Sequence, residues 1–428
     1  MTKKLLSLFL FLFSFIRAEH TIEAHVFIHG TRLVPLSCAS GISLINGALG
    51  EKHLYCKTIQ ETRGDERFYD AQIMLHPGLI EVETPLLEKC REKLLEPEIS
   101  RKAALQVIDA YDMLYPRKNI HRYYTYGWDG TLADEYRKRA SEQLYLTLIN
   151  LKSLLQEQYP GHRIQIIIHA HSHGGNVVLY LGYHEERRQQ NLIIDKMFLY
   201  GTPIQRETAL YCLHPIFKQI ISFYSEGDSV QVGDKFSTEK EKSFFKRRSF
   251  RRFADLVNTK NAPVIDVCLS AANDKKAFGH ASLFVIDMYQ KGIATGRRHI
   301  FKEIKYLPVV ALSPLFIPLI EELYMQSQSQ HITVNFEKNS PDSCIISAID
   351  EKGLICSTPN IIPQIEPINS IFEHTWKPHA KYAAVIWGTL LATSILLKLT
   401  PEHLFKRHSE EECKKAKKSK GIPFFSFS

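Results

Sequence analysis

Residues 164–183 read IQIIIHAHSHGGNVVLYLGY, and this stretch decides the fold. From Ile164 to Ile168 the chain is apolar except for Gln165, which is typical of a central strand buried on both faces of a parallel sheet; we predict that strand over Ile164–His169. Small residues follow at Ala170, Ser172, Gly174 and Gly175, and a helix is predicted over Asn176–Tyr183. A strand that turns sharply into a helix is a building unit of α/β proteins.

Ser172 stands inside this turn, with Ala170 two residues before it and Gly174 two residues after it. A turn this sharp needs small residues at both positions, because larger side chains would collide with neighbouring backbone. The turn lifts the Ser172 hydroxyl above the edge of the sheet and sets it at the N-terminus of the following helix. There the backbone N–H of His173 and the helix dipole can stabilise an oxyanion, so Ser172 is the candidate nucleophile.

The segment resembles the nucleophile elbow of α/β-hydrolases, in the variant with alanine where the first glycine usually stands. Lipase-like members also carry a His-Gly turn after an early strand, and this chain has His29-Gly30-Thr31 after the predicted strand His25–His29. The resemblance implies that the backbone N–H of Thr31 is the second oxyanion donor, beside that of His173. It also implies a serine hydrolase that cleaves carboxylic (acyl) esters, with lipids among the candidate substrates, and without a cofactor or a metal.

In that family the catalytic triad follows the order serine, acid, histidine. Asp228 comes just after the predicted strand Ile220–Tyr224, where the family's acid stands, and His280 lies in the sequence GHASL after the predicted strand Val264–Leu269. The resemblance therefore assigns Asp228 and His280 as the partners of Ser172. Other acids and histidines remain alternatives for these two roles: Asp234, Asp255, His214 and His299.

Short apolar strands alternate with amphipathic helices over most of the chain, which predicts an α/β fold with a mostly parallel sheet and helices on both faces. The resemblance covers about residues 22–290. We therefore predict an α/β-hydrolase domain over residues 22–300 and a C-terminal extension over residues 301–380.

Two apolar segments flank this domain. Residues 1–18 combine Lys3 and Lys4 with an apolar run and end in Arg17-Ala18, the layout of a signal peptide. A second apolar run predicts a transmembrane helix over residues 382–399, followed by a basic cytoplasmic tail over residues 400–428. The domain is thus expected on the non-cytoplasmic side, with the membrane as a partner. An uncleaved N-terminal anchor and a buried C-terminal helix are the alternatives.

The net charge of +8 is concentrated at the two ends, since residues 1–18 carry +3 and residues 398–428 carry +4. The rest of the chain carries only +1, so its composition does not indicate a nucleic-acid partner. Seven of the eight cysteines lie between the two apolar segments. An exported protein can pair such cysteines. Cys344 with Cys356 is the predicted bridge, because Gly353 and the Ser-Pro-Asp stretch at 340–342 indicate a turn-rich hairpin.

The histidines around Ser172 favour a second hypothesis. His169, His171 and His173 resemble the metal-binding loop of metallo-β-lactamase-type hydrolases, in which imidazoles at a strand end gather zinc. The pattern departs from that family's H-x-H-x-D-H loop, because the aspartate is absent and the third histidine comes one residue early. A third hypothesis is a membrane-tethered binding protein whose hydrolase fold has lost its activity.

Residues 235–253 interleave basic side chains with phenylalanines, between the predicted acid and the predicted base. Loops that follow the strands of an α/β sheet surround the ligand site, so this segment is expected near the mouth of the site. It is either a surface that contacts anionic lipid or a solvated loop whose aromatic rings pack on the core.

Overall fold

The computed structural model describes residues 21–30, 78–82, 103–116, 118–128, 130, 134–233, 249–260, 262–284, 307–340 and 342–373. The predicted signal peptide, transmembrane helix and basic tail lie outside these residues and stay predictions.

The described chain alternates strands with helices, as the sequence predicts. In chain order its elements are β1 (Thr21–Ile28), β2 (Gly78–Val82), α1 (Ala103–Leu114), β3 (Ile120–Gly127), α2 (Asp134–Gln158), β4 (Arg163–His171), α3 (His173–Arg188), β5 (Lys196–Tyr200), β6 (Ile204–Gln205), α4 (Arg206–Ala209), β7 (Ile220–Tyr224), α5 (Val230–Gly233), β8 (Ser249–Phe250), β9 (Val264–Ala271), α6 (Val309–Ser327), β10 (His331–Ser340), β11 (Ser343–Asp350), β12 (Ile355–Ser357) and α7 (Ile362–Glu373). Short 3₁₀ turns lie at Leu210–Leu213, Phe253–Asp255 and Ala281–Leu283.

Ten of these strands form one sheet in the order β12-β11-β10-β9-β7-β5-β4-β1-β3-β2. The strands from β10 to β3 in that order run parallel to their neighbours, while β2, β11 and β12 pair antiparallel at the two edges. Strands β6 and β8 form a separate small ribbon. The predicted α/β class with a mostly parallel sheet is confirmed.

Apolar cores lie on both faces of the sheet, because successive side chains of a strand point to opposite faces. On β4, Ile167 belongs to the core that α1, α6 and α7 cover. Its neighbours Ile166 and Ile168 belong to the core that α2 and α3 cover. Helix α2 buries one apolar stripe on this second face, at Ala140, Leu144, Leu148, Leu151 and Leu155. The sheet is therefore a central layer between two layers of helices.

The region predicted as a C-terminal extension continues the same sheet. Strand β10 pairs parallel with β9, and β11 and β12 follow it. Helix α6 is apolar and long enough to cross a membrane, but more than half of it is buried inside the structure, in the same core as α1. The described residues after 300 thus complete the core, and they do not form a separate appendage.

The predicted bridge between Cys344 and Cys356 is wrong, because the two cysteines are not bonded to each other. Cys356 of β12 pairs with Ala348 of β11, four residues along that strand from Cys344. At about 3.4 Å per residue this spacing is roughly 14 Å, whereas the Cα atoms of a disulfide lie within about 7 Å. The strand register keeps the two thiols apart.

Candidate active site

The turn between β4 and α3 holds Ser172 in a strained conformation. Strand β4 ends at His171, helix α3 begins at His173, and Ser172 between them has φ 51° and ψ −132°. A positive φ is uncommon for a residue with a side chain, and such strain persists only where the surroundings fix it. The Ser172 N–H donates to the carbonyl oxygen of Tyr200 (3.0 Å), and the N–H of Gly175 donates to the carbonyl oxygen of Ser172 (3.0 Å).

The small residues around this turn are required by contacts with the His29-Gly30 turn. A Cβ atom added to Gly174 would lie 2.4 Å from the His29 carbonyl oxygen. One added to Gly30 would lie 2.5 Å from the Cβ of Ser172. Ala170 is fully buried between Ile28 and Leu199 on the neighbouring strands. The predicted demand for small residues at these positions agrees with this packing.

Ser172, His280 and Asp228 form one hydrogen-bonded chain. The Nε2 atom of His280 lies 2.8 Å from the Ser172 hydroxyl oxygen, and its Nδ1 atom lies 2.8 Å from Asp228 Oδ2. The carboxylate can only accept from Nδ1–H, so Nε2 of the neutral ring accepts the hydroxyl proton of Ser172. Asp228 is fully buried, while 17% of the His280 side chain stays exposed. The structure therefore brings the three predicted residues together.

Asp228 is held by more than His280. Its other carboxylate oxygen accepts from the backbone N–H groups of Val230 (3.0 Å) and Gln231 (3.2 Å) at the start of α5. The Gln231 side chain in turn donates to the carbonyl oxygen of Thr202 (3.0 Å). These bonds fix the orientation of the carboxylate toward the imidazole.

The alternative acids and bases do not reach Ser172 in the described structure. Asp255 pairs with Arg252 (2.6 Å), three residues before it. His214 accepts from the N–H of Ile216 in its own turn (3.3 Å). Asp234 and His299 lie outside the described residues. Among the described residues, Asp228 and His280 are the pair that the geometry selects.

Gly201 is a residue of the site that the sequence analysis does not single out. It has a φ of +64° and lies against Asp228 and His280. A Cβ atom there would lie 3.0 Å from Asp228 Oδ2 and 3.2 Å from His280 Nδ1. The signal available in the sequence was a glycine directly after strand β5. The glycine is required because the loops that carry Asp228 and His280 contact it, and these loops are distant in the chain.

The predicted oxyanion donors are only partly described. His173 is the first residue of α3 and follows Ser172 directly, where backbone N–H groups point out of the helix end. Thr31 lies outside the described residues, but Gly30 before it packs against Ser172. Trp128 anchors this turn, since its indole N–H donates to the His29 carbonyl oxygen (2.9 Å).

The end of the basic, aromatic segment packs on the acid turn (residues 225–228). The guanidinium group of Arg251 donates to the carbonyl oxygens of Glu226 (3.0 Å) and Asp228 (3.1 Å). Phe253 is fully buried. Residues 249–253 of the segment therefore pack around the turn that carries Asp228. Residues 234–248 lie outside the described chain.

Asp266 on β9 ties this segment to the sheet. Its two carboxylate oxygens accept from the backbone N–H groups of Phe253 and Ala254, both at 3.2 Å. Burial raises the pKa of Asp266 to about 7, although the two amide hydrogen bonds act in the opposite direction. The protonation of this carboxyl therefore changes near neutral pH, next to a segment that holds the acid turn.

We expect the unfolding free energy to fall as pH rises from about 4 to about 7, because the folded state keeps the Asp266 proton that the unfolded chain has lost. The loss attributable to Asp266 is at most about 4 kcal/mol. Urea unfolding at several pH values, with Asp266→Asn as the control, measures it. The difference in stability between wild type and variant should change across this window and be constant above it; parallel curves would contradict the assignment.

The three histidines of the metal hypothesis do not converge. Strand β4 runs through His169 and His171, so both point to the same face of the sheet. The ring of His169 stacks on Phe27 and Phe198, and burial lowers its pKa well below the usual value. His171 instead contacts the loop of His280. Within the described residues no group of three His, Cys, Asp or Glu side chains is placed to hold a metal ion.

Comparison with protein families, with curated proteins and with solved structures finds no match to this chain. The assignment of a function therefore depends on the geometry of the site.

Proposed function

We propose that this protein is a serine hydrolase of the α/β-hydrolase type, which cleaves carboxylic esters through an acyl-enzyme intermediate. The observation that carries the proposal is the hydrogen-bonded chain from Ser172 through His280 to the buried Asp228, set on a strained strand-to-helix turn. A base oriented by a buried acid removes the serine proton as the oxygen attacks, which makes the hydroxyl an effective nucleophile.

The topology supports the same proposal. Ser172 follows β4, Asp228 follows β7 and His280 follows β9, and these strands lie in one parallel part of the sheet with β5 between the first two. The carboxyl ends of parallel strands lie along one edge, where ligands of open α/β sheets bind. The chain order serine, acid, histidine is that of α/β-hydrolases.

In the first half of the proposed reaction, Ser172 Oγ bonds to the ester carbonyl carbon while its proton passes to His280 Nε2. The carbonyl electron pair moves onto the oxygen, which the His173 N–H stabilises, with Thr31 N–H as the proposed second donor. Asp228 accepts from Nδ1–H throughout and stabilises the imidazolium. When the carbon–oxygen bond to the alcohol breaks, His280 returns the proton to the leaving oxygen.

In the second half, a water molecule replaces the alcohol beside His280. Its oxygen bonds to the acyl carbon while Nε2 takes one of its protons, and the oxyanion forms again in the same place. The bond between the acyl carbon and Ser172 Oγ then breaks. His280 returns the proton to Ser172, and the carboxylic acid leaves.

We expect a fluorophosphonate probe to label the wild-type protein and not Ser172→Ala, because the probe phosphonylates only an activated serine, with loss of fluoride. The matched control is Ser222→Ala, which removes another buried serine hydroxyl, on β7, and should leave labelling intact. Probe labelling is read by gel fluorescence, and hydrolysis of p-nitrophenyl esters is read with and without chelator.

Labelling of Ser172→Ala at the wild-type level would contradict the proposal. Loss of ester hydrolysis in chelator, without labelling of wild type, would favour the metal hypothesis. A wild type that neither reacts with the probe nor hydrolyses any ester would favour the inactive binding protein. A series of esters with graded acyl chain length then defines the acyl preference of an active enzyme.

A further inference from the structure

His171, the last residue of β4, stands between two loops of the site. Its side chain is almost completely buried. Its ring lies 4.7 Å from the ring of His280 between centroids, and it stacks on Phe284 at 5.2 Å with an interplanar angle of 6°. On its other side is Gly30, where an added Cβ would lie 3.2 Å from His171 Nδ1. The imidazole therefore fills the space between the histidine loop (residues 279–284) and the His29-Gly30 turn.

The hydrogen bond of this ring fixes its tautomer. His171 Nε2 lies 3.1 Å from the backbone carbonyl oxygen of His280. A carbonyl oxygen only accepts, so Nε2 carries the hydrogen and donates it. In the neutral ring Nδ1 is then the unprotonated nitrogen, and it faces Gly30. The ring thus presents one N–H to the main chain of the proposed base.

Apart from the two bonds that the His280 imidazole makes to Ser172 and Asp228, the other hydrogen bonds described for the histidine loop join residues of the loop itself. The Gly279 N–H donates to Ser282 Oγ (2.9 Å), and the same hydroxyl donates to the Gly279 carbonyl oxygen (2.7 Å). They shape the loop but do not tie it to the sheet. The bond from His171 joins the end of β4 to the main chain of His280, the residue on which the proton transfer depends.

We propose that His171 is a positioning residue, whose Nε2–H fixes the main chain of His280 so that the imidazole reaches both Ser172 and Asp228. This inference rests on the proposed function, since it assigns His280 as the base. An error of about 1 Å in the placement of such a group costs about 100-fold in rate. The donor at position 171 is therefore expected to matter for turnover although it contacts neither Ser172 Oγ nor Asp228.

The charge state of His171 suits this role. Burial lowers its pKa well below the usual value, and the positive charges that His280 and His173 can carry act in the same direction. His171 therefore stays neutral while His280 holds the proton during turnover. A second cation beside the imidazolium would oppose that proton transfer.

Three substitutions separate the hydrogen bond from the packing. His171→Phe keeps a ring that stacks on Phe284 but loses the donor. His171→Gln loses the ring, but its side-chain N–H lies the same number of bonds from Cβ as Nε2 of histidine. In His171→Asn the side-chain N–H lies one bond closer to Cβ. The full chain is used for all three, with thermal unfolding followed by circular dichroism.

We expect His171→Phe and His171→Asn to lower kcat for a p-nitrophenyl ester by about 10- to 100-fold, with KM changed by less than about 2-fold. His171→Gln should recover most of kcat. A role in folding alone would lower the melting temperature and the titre of reactive Ser172, and it would leave kcat per reactive Ser172 unchanged.

Wild-type kcat in folded His171→Phe would overturn this inference and leave the proposed function intact. Equal losses of kcat in His171→Gln and His171→Phe would also overturn it, because His171→Gln keeps an N–H donor and His171→Phe does not. A wild type that fluorophosphonate does not label would overturn both the proposed function and this inference.

Discussion

Replacement of Ser172 by alanine is expected to lower ester turnover by about 10⁴- to 10⁶-fold, and His280→Ala by a similar factor. Asp228→Asn should cost somewhat less, about 10³- to 10⁴-fold, because the amide keeps the contact but favours the wrong imidazole tautomer. The reason is the single chain of two 2.8 Å hydrogen bonds through His280. Steady-state hydrolysis of a p-nitrophenyl ester measures all three variants.

The three effects should not add. Once Ser172 is absent, His280 has no hydroxyl proton to accept and Asp228 has no imidazolium to stabilise. Ser172→Ala combined with His280→Ala should therefore lose no more than Ser172→Ala alone. Asp255→Asn is the matched control for the acid, since Asp255 pairs with Arg252 away from Ser172. Near wild-type turnover in His280→Ala would reject His280 as the base and leave the assignment of Ser172 untouched.

Gly174→Ala is expected to lower both stability and activity, although alanine is normally the better helix residue. The added methyl group would lie 2.4 Å from the His29 carbonyl oxygen, and the His29 backbone and the Ile28 side chain, both at 3.2 Å, leave it no room. Overpacking of this kind costs about 1–3 kcal/mol. Turnover should fall at least about 100-fold, because the shift occurs two residues from Ser172. Chemical denaturation and ester hydrolysis measure the two effects.

Gly182→Ala is the matched control in the same helix, α3. Its added Cβ would meet the side chains of His214 and Tyr211 at 3.2–3.3 Å, and these side chains are only half-buried and can shift. Its effect should stay within about 1 kcal/mol, since the gain in helix propensity offsets the tighter contact. Equal behaviour of Gly174→Ala and Gly182→Ala would show that the turn has more space than the structure indicates.

The candidate site was largely readable from the sequence because its parts are local. The apolar run from Ile166 to Ile168, the small residues around Ser172 and the following helix fit within about one strand and one turn. Strand ends also predicted where Asp228 and His280 lie, since parallel strands deliver their carboxyl ends to one edge of a sheet. The structure extends the central strand by two residues to His171, which a pattern of apolar residues alone does not predict.

Long-range packing determined the features of the fold that the sequence did not predict. The sequence left residues 301–380 as an extension, but the pairing of β10 with β9 adds the strands β10, β11 and β12 to the sheet. The register between β11 and β12 separates Cys344 from Cys356. Neither register is encoded in a local pattern, because strand pairing depends on which distant apolar faces are buried together.

The sequence by itself thus determined the α/β class, the strained turn at Ser172 and the order of its candidate partners, since backbone sterics and apolar periodicity act over a few residues. Only the tertiary structure decided which acid and which histidine meet the serine, why Gly201 has no side chain, and where the His171 N–H is directed. Those outcomes depend on contacts between loops, and their hydrogen bonds join residues 52 to 109 positions apart in the chain. A hydrogen bond or a steric limit between such loops exists only after the sheet has brought them to one edge.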